Sequence, residues 1–334
     1  MKIHRNINEL PPFKNAAVTI GTFDGVHLGH QEIISQLKKE AEKINGETVI
    51  ITFHPHPRKI ITPQKTIFVL NTFQEKIALL DARGIHHLVI VHFDEAFSNQ
   101  SPEIYIKNFL FSKFHPHTVI IGYDHRFGKN RQGDYHLLES YAAELGFIIK
   151  EIPEQVINKI IISSTKIREA LLSGEIAIAN KYLGYDYFFE GTVIHGDKLG
   201  RTLGYPTANI LVQDEEKLIP ANGVYAVEAE FFTKQYTIRN ETQNEKRETR
   251  NEKPLLSNIQ LHKGMMNIGI RPTIGGTKRM IEVNIFNFDK DIYGQTMRVY
   301  VKHYLRPETK FDGLEALAKQ IARDKIEAEK ILQD

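Results

Sequence analysis

Hydrophobic and polar positions divide the chain into two halves of different texture. In the first half short apolar runs recur: AAVTIG (16–21), ETVIITF (47–53), HHLVIVHF (86–93), HTVIIGY (117–123) and FIIKEI (147–152). Each is rich in β-branched residues at consecutive positions, the pattern of a strand buried on both faces. Between the runs the apolar spacing lengthens to three and four. In QEIISQLKKEAEKI, Ile33, Ile34, Leu37, Ala41 and Ile44 fall on one helical face. Helix ends are also marked. Thr72 and Glu75 form a capping box, Ser101 precedes Pro102 at a first helical position, and Gly146 stops DYHLLESYAAELG. Strand–helix alternation of this kind predicts a doubly wound, parallel α/β sheet with ligands at the carboxyl ends of its strands.

From about Gly184 the pattern changes. FFEGTVIHG, GVYAVEAEFF, GMMNIGI, MIEVNIFNF and TMRVYVKHYL are short runs, several alternating, separated by Gly, Asn, Asp and Pro. They predict an antiparallel barrel or sandwich. A closing helix follows, with Asp312 as its cap, Glu315 three residues on, and Phe311, Leu314, Leu317 and Ile321 toward a core. The boundary falls between 184 and 185, giving domains 1–184 and 185–334. One segment fits neither pattern: RNETQNEKRETRNEK (239–253) is charged or amide almost throughout and repeats loosely every seven residues. It reads as a flexible insertion between strands, with a charged helix that lacks an apolar stripe as the other reading.

Composition narrows the function classes. The 334 residues are 41% apolar and 25% charged, with a formal net charge of +2, so no nucleic-acid partner is implied. With no cysteine in the chain, disulfides and thiolate metal sites are excluded. MKIHRNINELPPF lacks an apolar signal core, and no run is long enough to span a membrane. The expectation is a cytoplasmic protein.

Three stretches carry chemistry. GTFDGVHLGH (21–30) leaves the first strand through glycines and sets His27 and His30 at a helix start, where unpaired N–H groups and the helix dipole attract phosphate. ISSTKIREAL (162–171) offers Ser163 to Thr165 as a cap, with Arg168 turned back toward them. Two imidazoles, an arginine and a helix start together favour negative charge. Taken singly, both stretches also suit ordinary capped helices. GTVIHGDKLGRTLGYPTANI (191–210) is punctuated by Gly196, Gly200 and Gly204; if PTANI is extended, Thr207 and Asn209 share a side. Two neutral oxygens there suit Mg²⁺ beside ATP phosphates, and a glycine-rich hairpin is the other reading. In RMIEVNIFNF (279–288), Ile281, Val283 and Ile285 alternate with Glu282, Asn284 and Phe286. A carboxylate in mid-strand is either a surface charge or a base near a hydroxyl.

GTFDGVHLGH with ISSTKIRE resembles the nucleotidylyltransferase superfamily. With TFHPHPR (52–58) and GYDHRFGKNRQGD (122–134), the first half is similar to the FMN adenylyltransferase module of bacterial bifunctional FAD synthetases. The second half resembles riboflavin kinase through GRTLGYPTAN, GVYAV, MNIGIRPTIGG, IEVNIFNFDKDIYG and LRPETKFDGLEALAKQI. The resemblance implies a Rossmann-like adenylyltransferase domain, then a six-stranded β-barrel kinase domain with a C-terminal helix. It implies that riboflavin and ATP give FMN, and that FMN and ATP give FAD and pyrophosphate, with Mg²⁺ as the metal and flavin-dependent apoenzymes as recipients. By that resemblance His27, His30 and Arg168 serve adenylyl transfer, and Gly21, Phe23, Asp24, Gly29, Ser164 and Thr165 hold its nucleotide. His54, Pro57, Asp124 and His125 lie on the flavin side. In the kinase half Gly196, Gly200 and Gly204 hold nucleotide, Thr207 and Asn209 the metal, Asn284 the flavin, and Glu282 is the base. The family commonly has an acidic residue where His54 stands and a phenylalanine where His125 stands. Those departures keep open a kinase whose first domain adenylylates or cytidylylates another acceptor. A flavin-binding regulator without turnover is the reading from another class.

Overall fold

The computed structural model describes residues 1–62, 64, 66–152, 162–196, 200, 203–232, 260–273 and 276–333. The insertion expected at 239–253 lies outside them. The chain clusters into two compact units. One is Met1–Arg168 with Tyr182–Gly184 and Glu216–Leu218; the other is Glu169–Lys181, Tyr185–Glu215 and Ile219–Asp334.

In the first unit six parallel strands stand in the order β1-β4-β3-β2-β5-β6. They are β1 Lys2–His4, β2 Ala17–Ile20, β3 Thr48–His54, β4 His87–His92, β5 Thr118–Gly122 and β6 Ile148–Ile152. The five strands read from apolar runs are β2 to β6; β1, half polar and three residues long, carries too short a pattern to be seen. Both sheet faces are covered, which is why the runs do not alternate. Ala17, Ile50, Leu88 and Ile120 meet Ile34, Leu37 and Ala41 of the helix Leu28–Lys43. Val18, Val49, Val89 and Val119 meet Ile106, Phe109, Leu110 and Leu138 on the opposite face. The order reverses at β2, which is flanked by β3 and β5. The crevice at the carboxyl end of such a switch point is where doubly wound sheets bind ligands. GTFDGVHLGH begins there.

In the second unit six antiparallel strands close a barrel in the order β10-β11-β8-β7-β12-β9. They are β7 Phe188–Ile194, β8 Ala208–Leu211, β9 Gly223–Phe232, β10 His262–Thr273, β11 Gly276–Ile285 and β12 Thr296–Arg306. A barrel, not a sandwich, is therefore what the alternating runs build. Register-opposed Tyr225, Met266, Val283 and Ala208 form one buried row across four strands. The helix Leu314–Ile331 lays Ala328 and Leu332 on Ala226, Met265 and Phe286. Its start differs from the sequence reading: the cap is Gly313 at φ 102°, with no side-chain hydrogen bond, and not Asp312. The helix thereby begins at Leu314, which is 56% exposed instead of facing the core. Leu317 and Ile321 do face inward, lining a cavity described below.

Two candidate active sites

Two motifs far apart in the sequence meet at the end of β2. Asp24 is buried; its Oδ1 accepts from Leu70 N at 2.8 Å and its Oδ2 is ion-paired with Arg168. Ser164 Oγ donates to the Asp24 carbonyl at 2.9 Å, and Arg168 Nε donates to the Phe68 carbonyl at 2.7 Å. Between them Gly25 takes φ +86° against the Leu70 side chain, a conformation and a closeness that suit only glycine. Thr165 is exposed in the first turn of the helix Ser164–Leu172. Gly21 N donates to Ile51 O at 3.0 Å, which fixes the turn to β3.

His27 is itself the N-cap of Leu28–Lys43; its Nδ1 accepts from His30 N at 3.4 Å. The two imidazoles stack at 3.7 Å, and His30 lies 5.0 Å from the Phe23 ring. Gly29 leaves room for this, since a Cβ there would stand 3.3 Å from His27 Nδ1. Burial pushes the His27 pKa down to about 4, with Asp24 opposing and Arg168 adding to the fall. Burial also puts His30 well below its ordinary value, helped by His27 and Lys76. Both shifts leave the imidazoles neutral at pH 7. Neutral imidazoles offer hydrogen bonds, and His30 Nδ1 is buried without a hydrogen-bond partner among the described residues.

The expected flavin-side residues follow neighbouring strands. His54 ends β3 with its ring 5.0 Å from Phe73, and burial lowers its pKa. Pro57 opens a short helix capped by His56, whose Nδ1 accepts from Arg58 N at 3.2 Å. Asp124 and His125 follow β5. Burial pushes His125 down to about 4, and its Nε2 has no hydrogen-bond partner among the described residues.

Sequence reasoning missed the cations beneath this site. Lys76 is buried with Nζ donating to the Thr22 carbonyl at 2.8 Å. Lys217 belongs to the same unit although it follows β8 in sequence. Its Nζ donates to Leu70 O and to Glu75 Oε2, both at 2.6 Å, and both side chains of that ion pair are fully buried. Val69 N donates to Glu216 O at 2.7 Å and Leu218 N to Val69 O at 2.9 Å, so residues 216–218 form the outer edge of the segment that holds Asp24 and Arg168. In QDEEKLIP a lysine among acids reads as solvated surface, so no local signal marks it. Removing one partner of a buried pair costs about 3–5 kcal/mol. Lys217→Met is therefore expected to lower unfolding stability by that order in chemical denaturation. Glu75→Gln/Lys217→Met should recover most of it; an unchanged Lys217→Met midpoint would show the pair to be idle.

In the barrel, strand register joins residues that stand apart along the chain. Glu282 of β11 stands directly opposite Asn209 of β8 on one side and Asn267 of β10 on the other. Opposed residues share a face with Cβ atoms about 5 Å apart. Glu282, Thr207 and Asn284 line a cavity of about 270 Å³, together with Gly200, Met280 and Leu317. Asn284 Nδ2 donates to Pro206 O at 2.7 Å, which fixes the turn that presents Thr207. Asn209 is buried and its Oδ1 has no hydrogen-bond partner among the described residues. Glycines shape the cradle: a Cβ on Gly196 would strike the Asn209 amide, and one on Gly200 the Tyr205 carbonyl. Gly204, at φ +82°, faces open space. In the lining of the same cavity Arg306 makes a bidentate pair with Asp324 at 2.9 and 2.8 Å, tying β12 to the closing helix. Asn267 and this pair were not foreseen.

Comparison with known proteins follows the same division. Residues 11–166 match the FAD synthetase family model, and residues 183–332 match the riboflavin kinase model. A bifunctional riboflavin kinase/FMN adenylyltransferase of Buchnera aphidicola subsp. Schizaphis graminum is 38% identical over 97% of this chain and 96% of its own. The protein of that description from Escherichia coli K12 is 33% identical over 98% and 97%. A crystal structure described as a macrolide-efflux protein from Streptococcus pneumoniae superposes with a TM-score of 0.82 at 29% identity, covering 98% of both chains. Among the described residues here no helix is long and apolar enough to cross a membrane. The chain belongs to the family of bifunctional riboflavin kinase/FMN adenylyltransferases.

Proposed function

We propose that residues 185–334 phosphorylate riboflavin to FMN with ATP, and that residues 1–184 adenylylate FMN to FAD with a second ATP. The observation that carries this reading is Glu282 set opposite Asn209 beside the cavity that Thr207 and Asn284 line. Glu282 accepts the proton of the ribityl terminal hydroxyl as its oxygen attacks the γ-phosphorus and ADP leaves. Asn284 orients the flavin, while Gly196, Gly200 and Gly204 let backbone approach the nucleotide. Thr207 and the unpartnered Asn209 Oδ1 offer hard, neutral oxygens that fit Mg²⁺ better than a softer metal. Bound there, the ion would neutralise phosphate charge.

At the first site the FMN phosphate oxygen attacks the α-phosphorus of ATP and pyrophosphate leaves. That phosphate is already ionised, so no base is needed. His27 and His30 donate hydrogen bonds to the phosphates, Ser164, Thr165 and Arg168 hold the nucleotide, and the turn Gly21, Phe23, Asp24 and Gly29 fixes their positions. His54, Pro57, Asp124 and His125 form the flavin side. The enzyme works in the cytoplasm and hands FAD to flavin-dependent apoenzymes. The unpartnered Nε2 of His125 favours one alternative, an acceptor other than FMN. Supplying FMN with ATP, CTP or GTP in turn tests it. Chromatography should show FAD with ATP alone; no dinucleotide from FMN with any of them would shift the reading to that other acceptor.

A further inference from the structure

Among the described residues, the imidazoles and the arginine that the two motifs bring to the first site supply no net positive charge. Its buried imidazoles are neutral at pH 7, and Arg168 is engaged by Asp24, so those two formal charges cancel. Adenylyl transfer loads extra negative charge on the α-phosphate and the departing pyrophosphate, which must be met by a fixed cation or donor. Lys76 lies beside the turn that follows β2. It lies on the helix Phe73–Asp81, is 7% exposed, and its Nζ donates to the carbonyl of Thr22, between Gly21 and Phe23 of the phosphate turn. The same carbonyl accepts from Thr52 Oγ1 at 3.3 Å. An ammonium has three N–H groups, and a carbonyl offsets none of its charge.

Its neighbours place Lys76 inside the site electrostatically. Burial is the main cause that lowers the pKa values of His30, His54 and His56, and the charge of Lys76 adds to it; burial lowers the Lys76 pKa as well, with Asp24 opposing. A carboxylate was available on the same helix: Glu75 is adjacent in sequence, and it pairs with Lys217. A buried ammonium held on a carbonyl is costly unless it has work to do. We infer that Lys76 is a further catalytic residue of adenylyl transfer, the cation that takes up phosphate charge as pyrophosphate leaves. This rests on the reading of the first site as the place of adenylyl transfer.

A purely structural Lys76 would only pin the Thr22 carbonyl, and a glutamine can do that without charge. The test compares Lys76→Gln and Lys76→Arg with the wild-type full chain. FAD formation from FMN and ATP is followed by kinetics, and pyrophosphate binding by titration calorimetry at several salt concentrations. Lys76→Gln is expected to lower kcat by about 10²-fold or more, as loss of one charge-stabilising group does, with the KM for FMN little changed. Pyrophosphate should bind at least about tenfold more weakly and with a shallower salt dependence, as loss of one screened charge requires. Lys76→Arg should retain most of both. Near-wild-type FAD formation in Lys76→Gln, or wild-type pyrophosphate binding there, overturns the proposal. If Lys76→Gln does not fold, a folded Lys76→Arg without FAD formation or pyrophosphate binding overturns it equally. A wild-type chain that makes no FAD would instead undo the reading of the site itself.

Discussion

Riboflavin phosphorylation falls by about 10²–10⁴-fold on replacing Glu282 by glutamine, the usual worth of a general base: this is the expected result. Glutamine keeps the shape of the side chain opposite Asn209 and removes its capacity to take a proton. Affinity for ATP and riboflavin should change little, because Thr207, Asn209, Asn284 and the glycine cradle remain. FMN added from outside should still become FAD at normal rate. The mutant is therefore blocked when given riboflavin and active when given FMN. Near-wild-type kinase turnover would remove Glu282 from the mechanism and leave it a charge on a strand face.

Loss of either stacked imidazole should act on the other step alone. His27→Ala or His30→Ala is expected to lower FAD formation from FMN by roughly 10²-fold or more. Both rings are neutral and buried, so the loss is of positioned hydrogen bonding at the phosphates; charge neutralisation is left to other groups. His30 has the clearer assignment, with an unpartnered Nδ1, whereas His27 also caps the helix that begins at Leu28. Riboflavin phosphorylation should survive in both. A folded variant that loses the two activities equally would contradict two separate sites.

Much of this was legible in the sequence because burial on two faces and strand–helix alternation leave strong local patterns. The five apolar runs became β2 to β6, and the capping box of Thr72 and Glu75 formed as read. The loop of His27 and the stretch of Arg168 could be suspected as partners, but only the fold brings Asp24 onto Arg168 and Ser164. Glu282 and Asn209 were each visible singly, and strand register made them neighbours. What escaped depends on burial that spacing does not encode. Lys76 and Lys217 look like ordinary helix and loop lysines, yet one is held on the Thr22 carbonyl in the turn after β2 and the other on a fully buried carboxylate. The protonation of His27 and His30 escaped for the same reason: an imidazole's charge is set by what encloses it.

The most direct test of two successive reactions follows phosphorus atoms through the wild-type chain. Riboflavin, Mg²⁺ and ATP labelled at either the γ- or the α-phosphorus are supplied, and the flavin products are separated over time. Label from the γ-position should appear first in FMN and then in FAD, while label from the α-position should enter FAD and never FMN. Unchanged riboflavin, FMN that accumulates without FAD, or α-label in FMN would contradict a kinase and an adenylyltransferase acting in sequence on one chain.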